Sequence, residues 1–311
     1  MLPYISRSPK SEQAAWIKVL SAAMPEEKIV PFSQLTQAQK QACDLAIVAN
    51  PDPKELQQLT HLKWVHSTWA GVERMLLELD EPRFDIVRLV DPQLAETMSE
   101  AVLAWTLYLH REMPCYAQQQ AASVWQPRSF VRAQDRTVGI LGLGALGTAS
   151  AKRLKANNFN VMGWSRQAKE IAGVTSFTGD EGLAQLLKHS DILVCLLPLT
   201  HETKGLLDAN NLAQLPAKAS LINFARGPIV DDQALLAALE SGAMSHAVLD
   251  VFNQEPLPET NAYWQNSRVT VLPHISAQTY PISASKIVAD NVRRYRLSGE
   301  IPNAVNVRIG Y

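Results

Sequence analysis

The chain has 311 residues, of which 47% are hydrophobic and 19% are charged, and its formal net charge is -1. This length allows two domains with separate cores, and the composition excludes a disordered chain. The near-neutral charge, without a long run of Lys or Arg, argues against a nucleic-acid binder. A small anionic substrate, bound by one or two arginines, remains compatible with it.

The cysteines and the N-terminus indicate the compartment. Cys43, Cys115 and Cys195 lie far apart in apolar stretches, without C-x-x-C spacing, so we expect buried, reduced thiols and no metal site. Residues 1–8 lack the apolar core of a signal peptide, and no apolar run approaches the ~18 residues that span a bilayer. These features predict a cytoplasmic protein.

The first 90 residues alternate short apolar runs with helical patterns. Strands are predicted over residues 4–5, 28–32, 45–49, 63–66 and 85–90. Helical periodicity covers residues 12–24 and 72–79. This alternation predicts a small α/β layer.

Two long helical patterns flank the second half of the chain. One covers residues 94–113 and is ended by Pro114, and the other covers residues 283–297 and is followed by Gly299. They are typical of crossover helices between domains. We therefore expect a discontinuous substrate domain, residues 1–98 with 278–311, and a cofactor domain, residues 99–277.

The stretch 117–134 is polar but carries Trp125 and Phe130. Connections of this length are uncommon in compact domains and are typically functional or disordered. The sequence predicts either a segment that embraces a partner subunit or partial disorder.

From Thr137 onward, short apolar runs alternate strictly with amphipathic segments. Strands are predicted over residues 137–141, 160–164, 191–197, 219–225, 246–252 and 269–272. Helices are predicted over residues 145–156, 180–188 and 231–241, the last with Asp231 as N-cap and Gly242 as its stop. The pattern predicts an α/β fold with a doubly wound parallel sheet of six strands.

A glycine motif, Gly142-Leu143-Gly144-Ala145-Leu146-Gly147, directly follows the first of these strands and begins a helix. In that context G-x-G-x-x-G predicts a dinucleotide site. The first glycine would allow the turn, the second the approach of the pyrophosphate, and the third the packing of helix on strand. The alternative is a glycine-rich turn without a ligand.

The end of the next strand indicates which dinucleotide is bound. NAD sites place an acidic residue there, whereas this chain reads Gly163-Trp164-Ser165-Arg166-Gln167. Ser165 could donate a hydrogen bond to a ribose 2′-phosphate, and Arg166 could form an ion pair with it. The sequence therefore predicts NADP(H), the alternative being an Arg166 that only faces solvent.

Arg226, Glu255 and His274 each follow a predicted strand. Because ligands of open α/β sheets bind beyond the carboxyl ends of the strands, we expect these residues to face one crevice. Arg226 would bind a substrate carboxylate and polarise the carbonyl. His274 would donate a proton, with Glu255 orienting its ring and raising its pKa.

Each residue alone also has a purely structural interpretation: an ion pair for Arg226, an exposed turn for Glu255, and a buried strand-end position for His274. The remaining histidines are predicted to be surface or packing residues: His61, His66, His110, His189, His201 and His246.

The motifs resemble those of the D-isomer-specific 2-hydroxyacid dehydrogenases over nearly the whole chain. The resemblance is carried by residues 139–144, 221–227, 249–258 and 273–277. Residues 163–166, the phrase from Asp250 to Pro258 and the ending Gly310-Tyr311 resemble the bacterial glyoxylate/hydroxypyruvate reductase A branch.

The resemblance implies a Rossmann cofactor domain, a flavodoxin-like substrate domain, and NADPH-dependent reduction of glyoxylate or hydroxypyruvate by a homodimer. It implies that Asp250 meets the nicotinamide carboxamide, and that Pro198, Thr203 and the Ala225 backbone line the cofactor groove. Backbone N–H groups of Trp69-Ala70-Gly71 would receive the substrate carboxylate, as Gly71 before a helix also suggests.

The substrate loops differ from the family pattern at Ala49-Asn50-Pro51 and at residues 278–281. The sequence therefore does not fix the preferred 2-oxo acid. A broad D-2-hydroxyacid dehydrogenase or a phosphoglycerate dehydrogenase is the enzymatic alternative, although the acid-free end of the second strand argues against an NAD-linked version. A formate dehydrogenase is disfavoured because Glu255 suits the support of a proton donor. A nucleotide-sensing binding protein is the alternative from another class, against which the trio argues.

Overall fold

The computed structural model of the protein describes residues 1–79 and 82–307. The Gly310-Tyr311 ending therefore lies outside the described residues. The chain divides into two compact units, which we call unit 1 (Met1–Gln93 with the chain from Thr279 onward) and unit 2 (Leu94–Gln278). In the described residues, no helix is long and apolar enough to cross a membrane.

The regular elements of the described residues alternate along the chain. The strands are β1 (Leu2–Ser6), β2 (Ile29–Pro31), β3 (Leu45–Ala49), β4 (Trp64–Ser67), β5 (Asp85–Val87), β6 (Thr137–Leu141), β7 (Asn160–Trp164), β8 (Thr175–Phe177), β9 (Ile192–Cys195), β10 (Ala219–Asn223), β11 (Met244–Leu249) and β12 (Val269–Val271). The α-helices are α1 (Lys10–Ala23), α2 (Gln37–Ala42), α3 (Pro53–Leu56), α4 (Glu73–Leu79), α5 (Pro92–His110), α6 (Met113–Ala121), α7 (Ala145–Ala156), α8 (Gly179–His189), α9 (Ala209–Leu212), α10 (Asp232–Glu240) and α11 (Pro281–Ser298).

Unit 1 is built on a parallel sheet with strand order β2-β1-β3-β4-β5. This is the flavodoxin-like order. The central strand β3 is buried along its whole length, and its side chains alternate between faces. Leu45 and Ile47 pack with residues of α1 and α11, whereas Ala46 and Val48 pack with Leu56 and its neighbours. Burial on both faces explains why this strand reads as a continuous apolar run.

Unit 2 is built on a seven-stranded parallel sheet with the order β12-β11-β10-β9-β6-β7-β8. Counted within the unit, this is the Rossmann order 3-2-1-4-5-6 with a seventh strand added. On the central strand β9, Leu193 and Cys195 pack under α8 and α10, while Ile192 and Val194 pack under α5 and α7. The predicted α/β class with a doubly wound parallel sheet is confirmed.

Two sequence predictions for unit 2 were wrong. The sheet has a seventh strand, β8, of only three residues with one partly buried aromatic, Phe177. The long helix ends at His110 rather than at residue 113, and a new helix, α6, begins at Met113. Pro114 occupies the first turn of α6, where a missing N–H costs nothing, so it begins a helix instead of ending one. The predicted loop 117–134 is consequently helical as far as Ala121.

The structure agrees with the predicted helix cap at Asp231 and with the predicted burial of two of the three cysteines. Cys43 and Cys195 are buried free thiols, whereas Cys115 is partly exposed. Asp231 caps α10 by accepting hydrogen bonds from the N–H groups of Gln233 and Ala234, both at 2.9 Å.

Candidate active site

The glycine motif forms the turn between β6 and α7, and each glycine meets different surroundings. Gly142 has a φ of +100°, a backbone conformation that residues with a side chain rarely adopt. A Cβ at this position would also lie 2.9 Å from the Leu196 carbonyl oxygen. A Cβ on Gly147 would lie 1.8 Å from the Gly142 carbonyl oxygen, so only glycine lets the helix pack this closely on the turn. A Cβ on Gly144 would meet nothing within 4 Å. The open side of the turn is therefore the backbone of Gly144.

The first turn of α7 is suited to an anion. Gly144 is its N-cap and supplies no side-chain acceptor for the first N–H groups of the helix. Leu143, Gly144, Ala145 and Thr148 line a depression of about 440 Å³, which Lys152 and Lys169 also line. Glu96 lines it too, and its charge is offset by an ion pair with Arg153 at 2.8 Å. Helix N-termini and lysines both favour negative charge. The two lysines were not predicted from the sequence because neither belongs to a spaced motif. The only sequence signal for Lys169 is its position three residues after Arg166.

The end of β7 lies against the glycine turn, since the Gly142 N–H donates to the Trp164 carbonyl oxygen at 2.8 Å. The Ser165 hydroxyl donates to the Gln167 carbonyl oxygen at 2.7 Å, which closes a short turn after the strand. Arg166 is exposed on this turn. Hydroxyl and guanidinium groups, and no carboxylate, thus follow β7 directly.

The segment after β9 forms a second rigid turn. The Thr203 hydroxyl donates to the Pro198 carbonyl oxygen at 2.7 Å and accepts from the Thr200 N–H at 2.8 Å. Thr203 is nine-tenths buried. Pro198 and Thr203, both predicted to line the cofactor groove, are therefore joined in one turn.

Arg226 is held by a turn at the end of β10. The Asn223 side chain accepts from the Ala225 N–H and donates to the Arg226 carbonyl oxygen, both at 3.1 Å. Arg226 Nη1 donates to the Ala225 carbonyl oxygen at 2.6 Å. A Cβ on Gly227 would lie 2.0 Å from the Phe252 carbonyl carbon, so the Arg226 turn lies directly on the backbone that leads to Glu255.

Glu255 and His274 are hydrogen-bonded to each other. His274 Nδ1 lies 2.8 Å from Glu255 Oε2, and Glu255 Oε1 accepts from the Phe252 N–H at 3.0 Å. The His274 side chain is 52% exposed and that of Glu255 is 37% exposed. No residue in the described part of the chain bonds His274 Nε2, so this nitrogen is available to a ligand.

The backbone after β12 is held by Asp250, which follows β11. The two Asp250 carboxylate oxygens accept from the N–H groups of Ile275 at 2.7 Å and Ser276 at 2.9 Å. His274 has a φ of 55°, in the left-handed region that is uncommon for residues other than glycine. Asp250 is nearly fully buried. Its carboxylate thus fixes the strained turn that carries His274, while the nicotinamide contact that the resemblance implies stays a prediction.

The pKa shifts of the pair favour the charged forms. Burial raises the pKa of Glu255, but the hydrogen bonds from His274 and from the Phe252 N–H outweigh it, so this pKa lies below its usual value. The hydrogen bond to Glu255 raises the pKa of His274, against the opposing effects of burial and of the Arg226 charge. The pair therefore favours a carboxylate beside an imidazolium, which can donate a proton.

The three predicted catalytic residues follow three adjacent strands of the sheet, in the order β12-β11-β10. Their carboxyl ends therefore lie side by side, and the structure brings Arg226, Glu255 and His274 together at this edge. Ala70 and Gly71 belong to unit 1, where they lie between β4 and α4. The neighbouring strand β3 ends at Ala49, so Asn50 lies at the same edge of the unit 1 sheet.

Comparison with known proteins identifies the family. The NAD binding domain of the D-isomer specific 2-hydroxyacid dehydrogenases matches residues 103–276. A D-isomer specific 2-hydroxyacid dehydrogenase from Xanthobacter autotrophicus Py2, solved in complex with NADPH and MES, is 36% identical, covers 100% of this chain and 99% of its own, and has a TM-score of 0.93.

Two further solved structures are similar over the full length. The NADPH-dependent glyoxylate/hydroxypyruvate reductase SmGhrA from Sinorhizobium meliloti, in complex with NADP and sulfate, is 31% identical over 100% of this chain and 99% of its own, with a TM-score of 0.90. A probable 2-hydroxyacid dehydrogenase from Rhizobium etli CFN 42, in complex with NADP, HEPES and L(+)-tartaric acid, is 29% identical over 100% of this chain and 98% of its own, with a TM-score of 0.89. The chain belongs to the D-isomer specific 2-hydroxyacid dehydrogenases.

Proposed function

We propose that the protein reduces a small 2-oxo acid, glyoxylate or hydroxypyruvate, to the corresponding 2-hydroxy acid with NADPH. The observation that carries the proposal is the 2.8 Å hydrogen bond between Glu255 and His274 beside Arg226, at the sheet edge where the glycine turn also lies. The S. meliloti relative, an NADPH-dependent glyoxylate/hydroxypyruvate reductase, supports the substrate class.

The residues of unit 2 fit a dinucleotide with a 2′-phosphate. The open face of Gly144 and the uncapped N-terminus of α7 suit a pyrophosphate. Ser165 and Arg166 would hold the 2′-phosphate, and Lys169 adds positive charge nearby. Pro198, Thr203, Leu146 and the Ala225 backbone would line the rest of the groove. The bound cofactor supplies the hydride.

Side chains of the protein bind the substrate, polarise its carbonyl group and donate the proton. The Arg226 guanidinium binds the substrate carboxylate and polarises the neighbouring carbonyl. His274, protonated, donates the proton from Nε2 to the carbonyl oxygen as hydride adds to the carbonyl carbon, which gives the hydroxyl group. Glu255 stabilises the imidazolium before transfer, and the neutral ring regains its proton from water.

The substrate carboxylate is proposed to contact the backbone N–H groups of Ala70 and Gly71 as well. In support, these residues follow β4 at the carboxyl edge of the unit 1 sheet, where the loops of such sheets bind ligands. Gly71 has no side chain, and the side chain of Ala70 is a single methyl group. The tail of the keto acid would meet the loops around Asn50 and Tyr280, whose side chain is exposed.

We also propose that the protein works as a homodimer in the cytoplasm. The segment after α5 exposes large apolar side chains that a monomer leaves in water, including Trp125 at 100% and Phe130 at 75% exposure. Buried free thiols at Cys43 and Cys195 suit a reducing compartment. Light scattering on the wild type and on a Trp125→Ser/Phe130→Ser variant tests the dimer: a monomeric wild type, or a variant that still dimerises, contradicts this surface.

A substrate panel tests the activity. NADPH and NADH are each mixed with glyoxylate, hydroxypyruvate or pyruvate, and loss of the reduced-nicotinamide absorbance is followed. We expect turnover with the first two acids and a preference for NADPH. Turnover mainly with pyruvate would favour a broader 2-hydroxyacid dehydrogenase. Tight NADPH binding with no turnover of any 2-oxo acid would overturn the proposal in favour of a nucleotide sensor.

A further inference from the structure

A second pocket lies in unit 2, at the edge of the sheet opposite to the glycine turn. It has a volume of about 210 Å³. Several of its lining residues directly precede strands: Arg136 precedes β6, Lys218 precedes β10 and Arg268 precedes β12. The proposed catalytic residues follow strands, so this amino-edge pocket is distinct from the dinucleotide and substrate sites.

The amino-edge pocket carries an excess of positive charge. Its charged lining residues, other than His246, are Arg128, Arg136, Lys218, Arg268, Glu112 and Asp191. Arg128 is neutralised by an ion pair with Glu112. Within residues 1–79 and 82–307, Arg136, Lys218 and Arg268 form no ion pair. One carboxylate, Asp191, therefore faces three cations, and it already accepts a hydrogen bond from the Thr137 N–H at 2.8 Å.

The pKa values of two neighbouring histidines are lowered, mainly by burial and to a smaller extent by this charge. Burial, reinforced by the positive charge of Arg268, lowers the pKa of His246 to about 4. Burial and then the charges of Arg136 and Arg111 lower the pKa of His110. His246 Nε2 lies 2.8 Å from the Thr270 hydroxyl. His246, which lines the pocket, is thus uncharged at neutral pH, and the positive charge of the pocket comes from Arg136, Lys218 and Arg268.

One further observation indicates a ligand rather than a solvated basic surface, and an unusual backbone angle accompanies it. The Nε atom of Arg136 is buried and has no hydrogen-bond partner, which is costly for a charged donor. Lys218 has a φ of 65°, in the left-handed region. Strain of this kind at a residue other than glycine persists where the surroundings impose it and is frequent at functional sites. An acceptor bound in the pocket would satisfy the first of these features.

We propose that the amino-edge pocket binds a small phosphate-bearing anion, held by Arg136, Lys218 and Arg268. Guanidinium groups match the oxygens of a phosphate with paired hydrogen bonds, and an ammonium group adds a point charge. The pocket volume is about 210 Å³. That volume suits an inorganic phosphate or a small phosphomonoester better than a dinucleotide.

Calorimetric titration of the full-length protein tests the site, with inorganic phosphate in one arm and glycerol 3-phosphate in the other, at constant ionic strength. A Lys218→Gln/Arg268→Gln variant removes two of the three cations. An Arg166→Ala/Arg226→Gln variant removes the anion-binding side chains of the proposed cofactor and substrate sites. Lys188→Gln serves as a surface control, because Lys188 is exposed and does not line the pocket.

We expect saturable binding of at least one ligand to the wild type, to Lys188→Gln and to the Arg166/Arg226 variant. Affinity should fall by about tenfold or more in the Lys218/Arg268 variant. The tighter of the two ligands identifies the source of the phosphate. Absence of saturable binding to the wild type overturns the proposal, as does undiminished binding to the Lys218/Arg268 variant or loss of binding in the Arg166/Arg226 variant.

A second substitution keeps the test independent of folding defects. Arg268→Lys preserves the charge, and we expect it to bind within a few-fold of the wild type. If Arg268→Lys binds as weakly as the Lys218/Arg268 variant although its circular dichroism matches the wild type, charge is not what holds the ligand and the proposal fails. The measured quantity is the binding of a phosphate compound and not turnover, so the outcome does not depend on the 2-oxo acid reductase activity.

Discussion

Replacing Glu255 by Gln should move the alkaline limit of 2-oxo acid reduction to lower pH. The substitution keeps the shape of the side chain but removes the charge that faces His274 Nδ1 at 2.8 Å. The hydrogen bond to Glu255 is the largest cause of the raised pKa of His274. Without it, the imidazolium loses its proton at lower pH, so fewer molecules hold the proton that the reaction consumes.

The size of the effect follows from the exposure of the pair. A hydrogen bond between charged groups contributes about 1.5–3 kcal/mol, and solvent screening at 52% and 37% exposure favours the lower end of that range. About 1.5 kcal/mol corresponds to a roughly tenfold loss of kcat/KM on the alkaline side. The loss should be smaller at acidic pH, where both enzymes carry a protonated His274.

The assay is kcat/KM for glyoxylate across the pH range, with saturating NADPH, for the wild type, Glu255→Gln and Glu259→Gln. Glu259 is an exposed carboxylate four residues further along the same segment, so its substitution controls for general changes in charge. An alkaline limb that stays at the wild-type pH in Glu255→Gln would refute the assignment of Glu255 to His274.

Three further predictions concern the cofactor and stability. Arg166→Ala should raise the KM for NADPH by about tenfold, the lower end for an exposed charge-assisted contact, and leave the KM for NADH nearly unchanged. Gly144→Ala should keep the wild-type melting temperature but weaken NADPH binding, because the added Cβ meets no protein atom and lies where a pyrophosphate would bind. Gly147→Ala should lower the unfolding free energy by about 1–3 kcal/mol or more, because its Cβ would collide with the Gly142 carbonyl oxygen. Burial holds the pKa of His66 at about 4, so the unfolded chain takes up its proton first, and stability should fall by up to about 3 kcal/mol as the pH drops from ~6.5 to 4.

Matched variants decide these predictions. Lys188→Ala should change neither the KM for NADPH nor the KM for NADH. If Arg166→Ala raised the two KM values by the same factor, the proposed contact with the 2′-phosphate would be contradicted. Wild-type melting of Gly147→Ala would contradict the close packing of α7 on its turn. Urea unfolding at several pH values should show a weaker acid dependence for His66→Gln than for His61→Gln, whose histidine is exposed; equal slopes would show that His66 titrates normally.

The parts of the fold that depend on local pattern could be predicted from the sequence. Strands β6, β7 and β3 and helix α7 match their predicted bounds, because their apolar runs are long and end at glycine or polar residues. Strand β8 was missed because three residues, two of them polar, carry no periodic signal. The start of α6 was missed because a proline such as Pro114 breaks the interior of a helix but is favoured in its first turn, and the sequence alone does not show which applies.

The candidate site shows the same division. That Arg226, Glu255 and His274 meet follows from their positions after adjacent strands, which the sequence indicates. The hydrogen bonds that the Asp250 carboxylate accepts from the Ile275 and Ser276 N–H groups could not be predicted from the sequence. They join residues 25 and 26 positions apart, through a turn in which His274 has an unusual φ. Contacts of this kind depend on how strands lie side by side, which no local pattern encodes.

The most direct test of the central claim is the effect of His274→Gln on glyoxylate reduction and on NADPH binding, measured on the same preparation. Loss of the proton donor should lower kcat/KM by about 10²–10⁴-fold, while the dissociation constant of NADPH, from nicotinamide fluorescence, stays within a few-fold of the wild type. A variant that reduces glyoxylate at close to the wild-type rate would contradict the assignment of His274 as the proton donor.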